Sequence, residues 1–405
     1  MRSFPPRRPD DTCACIPMTV RVPLGTIMKE WGRIGSIGFG GPPTHIALLR
    51  KLCVDQRRWI TAREFEDGIA ATNLLPGPAS TQLAIFCAWR LRGWVGAITG
   101  GVFFIAPGLI LILALSTLFL AANPPAWVLG AAAGAGAAVP AVALQAALGL
   151  MPASRQRMRD TRATRIRWVV YLVVGIAAGA FAGTYLVLVL ISCGLIEIGL
   201  TRHWRIGTGN KAASFVFLPF LTQVGAVGGL GALAWVALKV GLLSYGGGFV
   251  IIPLMQHDAV TIYHWMTGAQ FLNAVALGQI TPGPVVQTVA VVGYAAAGLG
   301  GGLLAALVAF VPSFLFIIFG GRHFDRLRTN PAIQAFLTGA GATVIGAIAG
   351  SAIPLGLALT QLWQAGVLVA ALGWLLAFRR GVVSALVGAA IIGVIAVLLG
   401  APVSH

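Results

Sequence analysis

The sequence predicts an all-α polytopic integral membrane protein made of two inverted-topology repeats, with helices broken at Pro-Gly-Pro and Gly-Gly motifs. Three observations predict it. The composition is too apolar for a soluble domain, a motif register repeats along the chain, and the arginines change sides between the two copies.

Hydrophobic residues make up 58% of 405 residues and charged residues only 10%, against about 25% charged in a soluble chain. Crossing about 30 Å of hydrocarbon takes roughly 20 mostly apolar residues. Segments 95–122, 126–151, 168–186, 301–319 and 381–399 all qualify. The 53 glycines fit too, since membrane helices approach closely through small residues. Gly134-Ala135-Gly136-Ala137 and Gly339-Ala340-Gly341-Ala342 are surfaces of that kind.

A net charge of +17 raises nucleic acid as a partner. The basic residues fall mostly between apolar runs, where the positive-inside rule places them on cytoplasmic loops. The partner they imply is a lipid bilayer, and no nucleic acid is expected. Cys13, Cys15, Cys53, Cys87 and Cys193 are scattered without metal-ligand spacing, so no metal and no cofactor are expected. The tail 1–22 is polar and proline-rich with no apolar stretch, and no cleaved signal peptide is expected.

The repeat is read from motifs. Gly40 and Gly246, Trp59 and Trp265, and Pro76 and Pro282 are each 206 residues apart. Pro107 and Pro312, and Gly134 and Gly339, are 205 apart. One register held over several motifs and resumed after a single gap implies a duplication. The division expected is a tail at 1–22, a first repeat at 23–200, a linker with an extra membrane segment at 201–230, and a second repeat at 231–405.

Charge gives the orientation. In the first copy, Asn123-Pro124-Pro125 is uncharged and the next connection, 154–167, holds six arginines. In the second copy the connection 321–331 carries Arg322, Arg326 and Arg328, and the next, near Pro354-Leu355-Gly356, is uncharged. Arg90 and Arg92 are matched to Ala296 and Gly298. Equivalent loops then lie on opposite sides of the membrane, as in inverted-repeat secondary transporters with substrate sites near the midplane. Four full spans are expected per half after Pro-Gly-Pro, and 213–229 supplies a crossing between the halves. Segments 24–49 and 63–92 begin and end near basic residues, as re-entrant hairpins or pairs of short helices.

Pro76-Gly77-Pro78 and Pro282-Gly283-Pro284 should each end one helix and start another. A new helix N-terminus at membrane depth offers free N–H groups and partial positive charge to an anion. Donors flank both copies: Asn73, Ser80, Thr81 and Gln82 at the first, Gln279, Thr281, Gln287 and Thr288 at the second. The competing reading is a kink that only shapes packing. Gly40 and Gly41, with Gly246 and Gly247, interrupt or closely pack a helix in each half. Arg33 and Lys239 are equivalent, each seven residues before the first of these glycines. Cation and glycine therefore share a helix face, so the cations either flank the substrate or snorkel to the interface. His45 and Asp67 are the proton-coupling candidates. The bland alternatives are a hydrogen-bonded structural histidine and an acid facing water beside Arg63. There is no Walker A sequence, no G-x-S-x-G and no H-E-x-x-H, and no enzyme is expected.

Phe39-Gly40-Gly41-Pro42, His45-Ile46-Ala47, Trp59, the run from Leu75 to Ala84, Arg90-Leu91-Arg92-Gly93-Trp94 and Pro107 closely resemble the chromate ion transporter family. Tyr245-Gly246-Gly247-Gly248 and Thr281-Pro282-Gly283-Pro284 resemble its second copy. The resemblance covers nearly all the chain from about Leu24 and implies the long, two-domain type. It implies export of chromate across the bacterial cytoplasmic membrane in exchange for protons, and hence chromate resistance. The chain departs from the family pattern at 51–55 and in its tail. Sulfate, a tetrahedral dianion of similar size, makes a general oxyanion transporter the rival reading. A passive anion channel or a structural membrane partner is the rival from another class. A homodimer is left open.

Overall fold

The structure is a computed structural model and describes residues 22–73, 75–121, 124–156, 161–202, 229–244, 251–320 and 330–402. The tail to residue 21, nearly all of the linker with its expected crossing, Gly246 and Gly247, Asn123, Arg322, Arg326 and Arg328 lie outside the described residues.

The described residues are helical, with no strand among them. The first half runs α1 (Leu24–Ile37), α2 (Pro42–Arg50), α3 (Ala62–Thr72), α4 (Ala79–Phe119), α5 (Ala126–Gln156), α6 (Arg162–Phe181) and α7 (Leu186–Arg202). The second runs α8 (Leu230–Leu243), α9 (Ile251–Gln256), α10 (Gly268–Ile280), α11 (Thr288–Gly320), α12 (Pro331–Leu357), α13 (Leu362–Leu372) and α14 (Val382–Leu398). Five helical stretches are long and apolar enough to cross a membrane: Ala79–Phe119, Ala126–Pro152, Arg162–Phe181, Val285–Gly320 and Pro331–Leu357. Val102, Ile110, Leu303 and Leu307 on α4 and α11 are exposed, the outward apolar surface that lipid covers. The chain is a multi-pass membrane protein.

Local sequence explains the breaks, and the breaks recur. Thr61 and Thr267 open α3 and α10 with capping boxes, closed by Glu64 and Gln270. A π-helical turn follows α2 at Lys51–Gln56 and α9 at His257–Ile262. Arg58 and His264, which follow these turns, both have φ of 51°.

The long helices are each two helices. Arg92 and Gly93 interrupt α4 at φ −147° and 62°, and Ala297 and Gly298 interrupt α11 at φ −152° and 63°. A β-carbon on Gly96 would lie 2.3 Å from the Ala88 carbonyl oxygen, although eight residues of straight helix span about 12 Å. The two arms of α4 therefore fold back on each other. In α11, Gly293 and Gly301 meet in the same way. The breaks also correct the alignment of the copies. Arg92 matches Ala297, not Gly298, and Arg90 matches Ala295. The one-residue gap falls before the second arms, between the Pro-Gly-Pro motifs and Gln82, which matches Gln287.

Segment 63–92 is a helical hairpin. A β-carbon on Gly68 of α3 would meet Phe86 and Leu83 of the first arm of α4. Arg90 and Glu64 form an ion pair across its open end.

The second arms of α4 and α11 cross at the centre. Gly101 faces Phe314 and Gly302 faces Leu113, so numbering rises along one arm as it falls along the other. The arms are antiparallel. Helix α1 lies along α4, with Gly35 against the Phe104 carbonyl, and α8 lies along α11, with Gly241 against the Ala309 carbonyl.

Around this centre the halves exchange helices. Helix α5 packs on α10, α13 and α14, and α12 packs on α6 and α7. Glycines make these contacts close: Gly130 and Gly134 against Gly393 and Ala389, Gly175 and Gly179 against Thr343 and Ala347, Gly339 against Cys193. Gly341, by contrast, faces open space. Where lipid is as apolar as a leucine side chain, such backbone proximity supplies the association through van der Waals contact.

Candidate functional site

Each Pro-Gly-Pro forms the tip of a helical hairpin. Gly77 has φ of 117° and Gly283 has φ of 105°, in the left-handed region that favours glycine. Pro78 stands at the N-cap of α4, so the motif ends one helix and starts another as its residue types predict. Pro284 caps a 3-10 turn, Val285–Gln287, that leads into α11. The first-turn N–H groups that follow lack intrahelical acceptors.

Each tip is lodged against the other half. A β-carbon on Gly108 of α4 would stand 2.0 Å from the Pro282 carbonyl oxygen. The Gly283 N–H donates to the Gly38 carbonyl at 3.1 Å. Gln287 Nε2 donates to the Ile105 carbonyl at 2.8 Å. At the first tip, a β-carbon on Gly77 would lie 3.2 Å from Ser313 Oγ and 3.4 Å from the Gly241 carbonyl, both of the second half. Gln82 Nε2 donates to the Pro76 carbonyl at 2.6 Å.

Unsatisfied polar atoms concentrate here. Seven buried side-chain atoms among the described residues lack a hydrogen-bond partner: Thr81 Oγ1, Gln82 Oε1, Ser244 Oγ, Gln279 Nε2, Gln287 Oε1, Ser313 Oγ and Arg167 Nε. All but Arg167 lie at the tips or on the helices that meet them. Each costs about 1–3 kcal/mol in an apolar interior if left unpaired, and six together set the tips apart from the rest of the described core. Their chemistry differs. The three hydroxyls and the Gln279 amide can donate, whereas the two Oε1 atoms only accept.

The other expected residues are placed as follows. Gly40 and Gly41, with φ of 93° and 75°, form the break between α1 and α2. Asn73 caps the C-terminus of α3. His45 is fully buried. Its Nε2 lies 2.9 Å from the Gly38 carbonyl and its Nδ1 3.3 Å from Ser80 Oγ, so it ties the α1–α2 break to the start of α4. Thr281 donates to Leu277 and Thr288 to Val285, each at 2.8 Å.

Both candidate cations have carboxylate partners. Arg33 pairs with Glu30 at 3.1 Å, and Glu30 also pairs with Arg57 at 3.1 Å. The Arg33 side chain is 55% exposed. Lys239 pairs with Asp258 at 2.5 Å, with side chains 17% and 3% exposed. Asp67 is exposed on α3.

Sequence reasoning missed Ser244, Ser313 and Asp258. Their first-half equivalents are Gly38, Gly108 and Leu52. A search for matching motifs passes over such positions, because the signal lies in the difference between the copies.

The sequence profile of the chromate transporter family matches residues 25–198 and 231–397. A chromate transport protein of Cupriavidus metallidurans is 31% identical over 365 residues, covering 86% of this chain and 87% of that one. A chromate transport protein of Pseudomonas aeruginosa is 30% identical over 365 residues, covering 87% of this chain and 85% of that one. No solved structure matches this chain.

Proposed function

This chain belongs to the chromate transporter family, and on that premise we propose that it is a secondary transporter exporting chromate across a bacterial cytoplasmic membrane in exchange for protons, conferring chromate resistance. Its substrate site lies at the two hairpin tips, where helix N-termini and buried donors converge. The observation that carries the reading is the concentration of unpartnered buried polar atoms at two matched breaks. Irregular backbone at membrane depth is tolerated where it is buried in protein or lines a cavity, and broken helices at the midplane are the usual transporter device.

The antiparallel crossing of α4 and α11 supports inverted topology. If both arms span the bilayer, the axis relating them lies in the membrane plane, which is the symmetry of alternating access. Arg33 and Lys239 enter this reading as charges already paired with carboxylates. Re-pairing during the cycle would let them respond to a dianion without leaving a bare charge in the membrane. His45 is the group whose protonation would be felt at both a helix break and the α4 N-terminus, and Asp67 is the exposed alternative.

The test is uptake of labelled chromate and of sulfate into inverted vesicles, with and without a protonophore. Chromate accumulation that collapses with the proton gradient is expected. Sulfate taken up equally well would make this a general oxyanion transporter. Equilibration without accumulation would make it a channel.

A further inference from the structure

The two tips differ in their hydroxyl donors: Thr81 at the first is matched by Val286 at the second, and two further pairs differ in the same sense. Gly38 and Ser244 end α1 and α8 with nearly the same backbone, φ −77° and ψ 66° against φ −70° and ψ 66°. Gly108 and Ser313 each follow the interior proline of their long helix, Pro107 and Pro312. At both pairs the first half has glycine and the second has serine.

The consequence at the second tip is a closed backbone with no free hydroxyl, leaving the Gln279 amide as its unpartnered donor among the described residues. Gly38 accepts the Gly283 N–H at 3.1 Å, Gly108 is pressed against the Pro282 carbonyl, and the nearby Thr281 and Thr288 hydroxyls are engaged by their own helices. The consequence at the first tip is free donors. Ser313 Oγ is 3.2 Å from where a β-carbon on Gly77 would stand. Ser244 ends α8 three residues after Gly241, whose carbonyl lies 3.4 Å from the same point. Ser244, Ser313 and Thr81 in the first turn of α4 are each fully buried, and none of the three hydroxyls has a partner.

We propose that the first tip is the primary anion subsite, where Ser244 and Ser313 of the second half join Thr81 and the α4 N-terminus to hold a doubly charged tetrahedral oxyanion. The proposal rests on the transport reading above. Each hydroxyl rotates to present one O–H donor, and the helix N-terminus adds unpaired N–H groups and partial positive charge. Neutral donors compensate the ion without a buried net charge that would have to be neutralised when the site empties.

The test uses full-length protein purified in detergent, comparing Ser244→Ala, Ser313→Ala and a control, Ser116→Ala. Ser116 is a buried serine whose hydroxyl bonds its own helix at Ile112. Chromate affinity is read by titration, and thermal unfolding is followed with and without chromate. Each site variant should bind chromate about tenfold more weakly, as expected for one lost hydrogen bond to a charged ligand. Without chromate each should unfold at the wild-type temperature or above it, because removing an unpartnered buried hydroxyl relieves a cost. The control should keep wild-type affinity. Wild-type affinity in both site variants overturns the subsite and leaves the transport reading standing. Weaker binding accompanied by a lower ligand-free unfolding temperature, or failure to fold, assigns the serines a structural role and also overturns it. A wild-type protein that neither binds nor transports chromate overturns both readings.

Discussion

Gly108 and Pro282 are in backbone contact across the two halves of the chain. A β-carbon on Gly108 would stand 2.0 Å from the Pro282 carbonyl oxygen and 2.5 Å from Gln287 Oε1. The central helix has no room there for a methyl group. Gly108→Ala should lower the unfolding temperature, at an overpacking cost of about 1–3 kcal/mol, and should cut chromate transport in proteoliposomes by at least about tenfold. Unchanged transport and stability would mean that the second tip shifts away freely.

The tip glycines should tolerate no branched side chain. Gly77→Val and Gly283→Val place a β-branched residue at φ of 117° and 105°, a backbone strain of about 1–3 kcal/mol. Transport should be lost in both while most of the protein still reaches the membrane, measured by uptake and by immunoblotting of membrane fractions. Normal chromate export by both variants would return the motifs to a packing role.

The two ion-paired cations should behave differently on removal. Lys239→Gln leaves Asp258 buried without a partner, and destabilisation of about 3–5 kcal/mol is expected. Adding Asp258→Asn should recover most of it. Arg33→Gln should change stability by no more than about 1 kcal/mol, because the Arg33 side chain is largely exposed and Glu30 keeps Arg57 as a partner. Thermal unfolding of the four proteins measures this. Equal losses from both single variants would show that the exposure difference does not set their energetics. The same variants test the transport role, where weaker apparent chromate affinity is expected for each cation removed.

Inverted topology has a labelling signature. In a background lacking native cysteines, single cysteines at Asn123 and Gly356 should react with an impermeant thiol reagent from outside intact cells. Cysteines at Arg155 and Arg326 should not. Outside labelling of either arginine-rich loop would sink the inversion.

Much of this molecule was legible in its sequence because breaks leave residue-type signals. Proline and glycine at Pro76-Gly77-Pro78 and its copy told where helices end, and the apolar runs told what surrounds them. The ends of these arms were legible, since segment 63–92 stops at Arg92 and the next apolar runs open at 95 and 301, but residue types did not show that the arms at Gly93 and Gly298 fold back into backbone contact. The exchange of α5 and α12 between the halves left no mark that periodicity could show, because small residues line both their own and their neighbours' faces. At the site, the glutamines and Thr81 were found because they sit beside the motif. Ser244 and Ser313 come to the first tip from about 165 and 235 residues away, and only the folded chain brings such distant positions together. The partner of Lys239 is only 19 residues away and was hidden instead because the two copies differ there. Asp258 faces it from a π-helical turn whose first-half counterpart carries Leu52.

The exchange of helices sets a timetable for biosynthesis. Helix α5 leaves the ribosome more than two hundred residues ahead of α14, its closely packed neighbour. At about 5–20 residues per second this is a wait of roughly 10–40 s. Throughout it, Gly130 and Gly134 face lipid or a passing chaperone where Gly393 and Ala389 will later dock. The α5 groove thus enters the bilayer uncovered and is closed only when α14 arrives. Quality control would meet this protein at α14, whose loss leaves Gly130 and Gly134 bare.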